Sequence, residues 1–459
     1  MSTIKNLELF VDKMKQAQLS EVIIKVFKHY YTHLATGKSG FIREGDIKPV
    51  DTLPDAEQIP EVLQEIGRQA LGKTVLLKLN GGLGTSMGLE KAKSLLVIKD
   101  NLTFLDIIAQ QAQQSSIPLV LMNSFNTRTD SLALLKNYPD LWGEIPLDFL
   151  QHKVPKIDQK TLTPVNWAKN SELEWCPPGH GDIYPALITS NLLELLLKNG
   201  YEYVFVSNAD NLGASINKEI LGHFVKHNLS FMMEVADRTE ADKKGGHLAQ
   251  RADGQLLLRE SAQCTTEDET SFQDITRHKY FNTNNLWLNL PALKEILDRN
   301  NNVLDLPMIC NAKTVDPRDP NSTPVYQLET AMGSVIELFE DAQAIRVPRR
   351  RFAPVKTSND LLAIQSDLYI LDQDSNVVMN PNRDGALPTI NLDPTYYKMV
   401  NDFEARFPDG VPSLIECQQL TIKGDIKFGG QVTLKGKVTL VNDSAQQQYI
   451  EAGSIIIGE

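Results

Sequence analysis

Leu79-Asn80-Gly81-Gly82-Leu83-Gly84-Thr85-Ser86-Met87-Gly88, with Lys93 five residues beyond, is the stretch on which the reading of this chain turns. It follows the apolar run Val75, Leu76, Leu77, Leu79 and packs four glycines into its last eight residues. A β-strand that breaks into such a loop lets backbone amides approach a phosphate or a base without interference from Cβ atoms. A lysine just beyond adds a point charge for a phosphoryl group. The loop matches neither common glycine signature. No glycine begins a Walker A run, and Gly82-Leu83-Gly84 is followed by glycine at 88 and not at 87, where the dinucleotide pattern needs it. ATPase and dinucleotide-dehydrogenase readings are therefore weak.

Outward from the loop, residues 74–370 alternate short apolar runs with helical patterns. The expected strands are Val75–Asn80, Leu119–Asn123, Tyr203–Asn208, Phe231–Ala236, Leu256–Arg259 and Trp287–Leu290, with helices at Thr103–Ser115 and Tyr184–Asn199. Such alternation predicts an α/β domain with a mainly parallel sheet. Ligands bind beyond the carboxyl ends of such strands, so the glycine loop and the loops after Asn123 and Asn208 should share one rim. Residues 7–35 read as helices, and Asn380–Pro394, rich in proline, Asn and Asp, reads as a linker. From Leu420 to Leu440, apolar and polar residues alternate with recurrent glycines, which favours a parallel β-helix over an antiparallel meander. The expected division is 1–50 helical, 51–375 catalytic and 376–459 linker plus β-helix.

The chain has 459 residues, enough for two or three domains, and a formal net charge of −12. Nucleic acid and anionic membrane are thereby poor partners. Against that background Arg346–Lys356 holds four arginines and a lysine with no acid, a local patch for a specific anion. The four cysteines form no CxxC spacing, no apolar signal core opens the chain, and no run of membrane-spanning length occurs, so the expected location is cytoplasmic with reduced thiols. His29/His33 and His223/His227 are spaced i, i+4, but Phe224 stands where a zinc protease needs glutamate, and the pairs are read as incidental.

Several segments offer chemistry. Pro177-Pro178-Gly179-His180-Gly181-Asp182 is a rigid loop with one histidine at its tip, by itself a structural turn. Ser207-Asn208-Ala209-Asp210-Asn211 ends a strand facing the glycine loop, where Asp210 would hold a phosphate-bound Mg2+; an Asx turn is the plain alternative. Phe281–Trp287 and Gln327–Ala331 supply amides and a carboxylate suited to sugar hydroxyls, though each alone reads as a turn or a helix start. In Val347–Lys356, two prolines would hold Lys356 stiffly ahead of a helix cap at Thr357–Asp360.

In this order the segments resemble the eukaryotic-type UTP–glucose-1-phosphate uridylyltransferases: the Leu79–Gly88 loop with its lysine, Leu121–Thr127, Pro177–Asp182, Ser207–Ala214, Phe281–Trp287, Gln327–Ala331, Val347–Lys356 and Ser366–Tyr369. Asn80, where the N-acetylglucosamine-1-phosphate relatives have alanine, favours the glucose enzymes. Ala92 stands before the lysine where many members have proline, which bears on subtype more than on activity. The resemblance implies a Rossmann-like nucleotidyltransferase domain with a mixed, mainly parallel sheet, followed by a left-handed parallel β-helix. It implies transfer of the uridylyl group of UTP to glucose 1-phosphate with Mg2+ as cofactor. A broader UDP-sugar pyrophosphorylase and a non-catalytic nucleotide-sugar sensor stay open as alternatives.

By the same resemblance Leu79, Asn80, Gly81 and Gly82 contact UTP, Lys93 and Lys356 reach its phosphates, and Gln151 and Gly179 hold the uracil. His180 and Asn208 contact the sugar phosphate, Asp210 the Mg2+, and Asn284, Asn285 and Glu329 the glucose hydroxyls. Homo-oligomers through the C-terminal β-helix are a further expectation.

Overall fold

The computed structural model describes residues 2–459. Its frame is a nine-stranded sheet of β1 (Thr74–Asn80), β2 (Leu119–Asn123), β3 (Asp148–Leu150), β4 (Tyr203–Asn208), β5 (Phe231–Asp237), β6 (His247–Gln250), β7 (Leu256–Arg259), β8 (Tyr280–Asn289) and β9 (Gln343–Arg346). The lateral order is β3-β2-β1-β4-β8-β5-β9, parallel throughout except for β8, with the β6–β7 hairpin joined to the start of β8. The parallel strands are joined by helices, and both sheet faces are covered, as buried parallel strands require. Alternation in β1 and β4 sends Val75, Leu77, Val204 and Val206 to one core and Leu76 and Phe205 to the other. Each such buried side chain contributes about 1.5–3 kcal/mol.

The first strands match their sequence expectation within a residue, and the helix Phe104–Ser115 starts on the expected Thr103, whose hydroxyl and Asp106 form a capping box. Three expectations change. Tyr184–Asn199 is two helices, Ile183–Thr189 and Leu192–Lys198, broken at Asn191 with φ +59°. The segment around Trp287 belongs to a ten-residue strand, not a four-residue one. Gln327–Thr330 lies in the strand Pro324–Thr330, paired with Met308–Thr314 in a small antiparallel sheet, and only Ala331 stands at a helix start, capping the 3-10 turn Met332–Leu338.

Two N-terminal helices, Ser2–Gln16 and Glu21–Ala35, cover that small sheet: Phe10, Phe27 and Tyr31 cluster with Met308 and Leu328. At the other end, β10 (Thr389–Leu392), β11 (Cys417–Lys423), β12 (Ile426–Phe428), β13 (Thr433–Val441), β14 (Gln448–Ile450) and β15 (Ile455–Ile457) make small sheets in which every pairing is parallel. The antiparallel meander is thereby excluded. β10 falls inside the expected linker, whose Ile390 aligns with Leu420. Leu420, Ile422, Phe428 and Val438 join the same core as Ile107 and Ile108, so the C-terminal strands share their apolar interior with one face of the main sheet. Among the described residues no helix is long and apolar enough to cross a membrane, and all four cysteines are free thiols.

Candidate active site

The register aligns Leu79 with Asn208 and Asn80 with Asn123, so the three loops end level on one rim, as the strand order requires. The glycine loop leaves β1 through Gly84 and Gly88, both at positive φ (+66° and +76°). A Cβ on Gly84 would stand 3.2 Å from the Lys93 stem, so the positive φ and this close approach together favour glycine there. The Lys93 amide donates to Gly82 O (3.1 Å). Its Nζ reaches Asp210 Oδ2 at 2.6 Å, both side chains being largely shielded from solvent. The two charges singled out in sequence, 117 residues apart, thus meet across the rim.

Gln151 follows β3, its amide donating to Asn123 O. Its side chain lies over Gly81, where a Cβ would fall 2.8 Å from Gln151 Oε1. The neighbouring His152 is clamped to buried Asp182, which accepts from the His152 amide (2.6 Å) and contacts its Nδ1 (2.8 Å). Gly179, at φ +82°, lies against the strand holding Glu329: a Cβ there would be 2.5 Å from Thr330 O. Gln151, Gly179, His180 and Glu329 are thereby tied into one wall. Burial pushes the Glu329 carboxyl upward, opposed by a hydrogen bond from Asn311 and by Lys313.

His180 does not stand free at a loop tip. Its Nδ1 accepts a hydrogen bond from the Met332 amide (2.9 Å), so the neutral ring carries its proton on Nε2 as a donor. Burial lowers its pKa from 6.5 to about 4. The unfolded chain takes up this proton below about 6.5 and the folded one only near 4, so the stabilisation is whole above the first value and lost as pH falls toward the second. Urea-unfolding midpoints at about pH 7 and about pH 5 should therefore differ less in His180→Gln than in the unaltered protein. An equal drop in both would remove His180 from the acid sensitivity.

Two expected ligand contacts turn inward. Asn80 is buried, its amide donating to Asn123 Oδ1 and Ser131 Oγ (both 2.8 Å), so only its main chain faces the loop. Asn285 is fully buried: it donates to Glu234 Oε2 and Arg351 O and accepts from Asn211 Nδ2. It braces the rim and has no donor left for a sugar hydroxyl. Asn284 does stand out, because the β5–β8 register slips between Glu234 and Val235 and leaves it in a bulge at φ +59°. Asn208, at the end of β4, is part-exposed.

The basic run is also not a free anion patch. Arg346 pairs with Asp55, Glu57 and Asp237, Arg349 with Asp242, Arg350 with Glu57, and Arg351 with fully buried Glu234. Among the described residues only Lys356 of this run has no carboxylate partner; it is exposed, with Nζ 5.5 Å from the Phe352 ring centroid. Its segment is stitched to the turn that carries Asp210, Ala353 N–H donating to Asn211 Oδ1 and Val355 N–H to Asp210 O. Lys356 opens onto a cleft of about 1040 Å³ that also takes in Tyr369 and Met379. Elsewhere His29, His33 and Asp305 approach one another, but Lys38 Nζ lies 3.3 Å from His33 Nε2, placing a cation beside that ring.

A family model described as UTP–glucose-1-phosphate uridylyltransferase matches residues 24–435. The chain belongs to that family. A probable member from Schizosaccharomyces pombe is 42% identical over 416 residues, covering 88% of this chain and 81% of the relative. The Solanum tuberosum member is 41% identical over 418 residues, covering 89% and 84%. A mutant UDP-glucose pyrophosphorylase from Leishmania major, crystallised in complex with UDP-glucose, superposes with a TM-score of 0.90 at 44% identity, covering 99% of this chain and 98% of that one.

Within this family frame two residues were missed in the sequence: Lys78 and Glu234. Glu234 accepts from Arg351, Asn285 and Trp287 Nε1 and organises the floor of the rim. The signal was present, since each is a charge flanked on both sides by apolar residues inside a strand (Leu77 and Leu79; Met233 and Val235), and a buried charge demands partners.

Proposed function

We propose that the chain transfers the uridylyl group of UTP to glucose 1-phosphate, releasing pyrophosphate and forming UDP-glucose, reversibly. The observation that carries this is the Lys93–Asp210 pair, which joins the glycine loop to the end of β4. Family membership and likeness to an enzyme crystallised with UDP-glucose support it. A glucose-1-phosphate oxygen attacks the α-phosphorus in line and the bond to the pyrophosphate oxygen breaks. The nucleophile is an anion, so no general base is needed. The difficulty is repulsion between a phosphate dianion and a triphosphate, and catalysis is positioning plus charge neutralisation. Lys93 meets that charge from the glycine loop and Lys356 from the segment stitched to Asp210.

Asp210 fits a Mg2+ site of the kind that takes one carboxylate plus substrate oxygens, since Lys93 occupies Oδ2 and no hydrogen bond to Oδ1 occurs among the described residues. A Mg2+ held by Asp210 would supply neutralisation of the phosphate charge. Gln151 and Gly179 form the uracil wall; His180, through its Nε2 proton, and Asn208 face the sugar phosphate, and Asn284 and Glu329 the glucose hydroxyls. Pyrophosphate release from UTP with glucose 1-phosphate, set beside galactose 1-phosphate, is the assay. Glucose 1-phosphate should be strongly preferred, and absence of release with either sugar would remove the proposal.

The parallel C-terminal strands support a left-handed β-helix as the reading of that region. Ile455 and Ile457, exposed on its last strand, are where a second copy would pair in a homo-oligomer, which light scattering would detect. The free thiols fit a cytoplasmic protein.

A further inference from the structure

Lys78 lies mid-rim on β1 and is 1% exposed, yet the mechanism above does not use it. Its Nζ donates to Ser207 Oγ and to Ala214 O, each at 2.7 Å. Those two residues are the entry and exit of the turn that presents Asp210. One side-chain amine thus closes the loop at both ends from beneath the rim. The rest of the turn is fixed from other sides: Asn211 by Asn285, Arg351 and Ala353, and Ser215 O by Arg351 Nη2 (3.0 Å).

We propose that Lys78 is a positioning residue for the uridylyl transfer, holding the Ser207–Ala214 turn so that the Asp210 carboxylate stays opposite Lys93. The inference rests on the function proposed above. An apolar side chain at this fully buried position would serve packing equally well, and a buried cation without a full ion pair is costly. The charge therefore needs a reason beyond stability. Burial and the Arg351 guanidinium pull the Lys78 pKa down to about 7, while Glu234 and Asp210 act in the opposite direction. Asp210 is thus among the charges that act on it.

Lys78→Met keeps length and apolar bulk and removes both donors. We expect a turnover loss of about 10- to 100-fold with UTP KM within about threefold, the range seen when residues behind a metal ligand are removed. The second readout is not activity: Mn2+ titrated into the UTP complex, with free ion followed by its paramagnetic resonance, should bind about tenfold more weakly. A lowered thermal midpoint with unchanged turnover and unchanged Mn2+ binding would make Lys78 structural only and overturn the proposal. If Lys78→Met does not fold, Ser207→Ala, which keeps the lysine but removes one anchor, should weaken Mn2+ binding in the same direction, and no change there overturns it equally. If the unaltered protein releases no pyrophosphate, the functional reading fails, and the hold of Lys78 on the Asp210 turn is then decided by the Mn2+ titration alone, where equal binding in Lys78→Met and the unaltered protein overturns it.

Discussion

Asp210→Asn should lower Mg2+-dependent turnover by about 10²–10³-fold, equivalent to about 2.7–4 kcal/mol of barrier. The substitution keeps size and shape, and the asparagine oxygen can still accept from Lys93, which now sits 2.6 Å from the carboxylate. What disappears is the anionic oxygen that a hard divalent cation requires. The turn itself should hold, since Asn211, Val355 and Lys78 fix it independently of the Asp210 side chain. UDP-glucose binding, measured calorimetrically without metal, should therefore change little while the metal titration of turnover shifts or vanishes. An unaltered Mg2+ titration would exclude Asp210 as the ligand.

Lys356→Ala should cost at least about a hundredfold in turnover, with UTP binding retained. Its neighbours make the prediction specific. Every arginine of the preceding run is held by a carboxylate, so Lys356 is the cation of that segment still available to a phosphate among the described residues. Its backbone is anchored, with Asp360 accepting its amide proton at 2.9 Å and Val355 bonded to Asp210 O, while its side chain is exposed beside Phe352. A rigid base with a free ammonium suits a group that stabilises charge developing late in the transfer, and so affects kcat more than KM. Lys356→Arg should restore part of the activity, since charge matters more than fork geometry here. Near-normal turnover in the alanine variant would take Lys356 out of the mechanism.

Much of this molecule could be read from residue order alone, and the reason is local. Short continuous apolar runs, capping boxes at Thr103 and Thr357, and glycines where φ is positive are short-range constraints, so the strands and the rim loops follow from them. The level alignment of the three rim loops follows as well, because parallel neighbours joined by helices must end on the same side.

Partnership was decided only in three dimensions. Sequence composition makes Arg346–Arg351 an anion patch, yet the carboxylates that neutralise it come from as far away as Asp55 and Glu57. Asn80 and Asn285 carry the right groups for a ligand, but neighbouring strands turn their amides inward. Lys78 and Glu234 look like misplaced charges until β4, β8 and the Arg351 turn close around them. A side chain's type is fixed by the chain; whether its donors and charge remain for a substrate depends on long-range neighbours, because a buried polar group takes whichever partner the tertiary packing brings within hydrogen-bond reach.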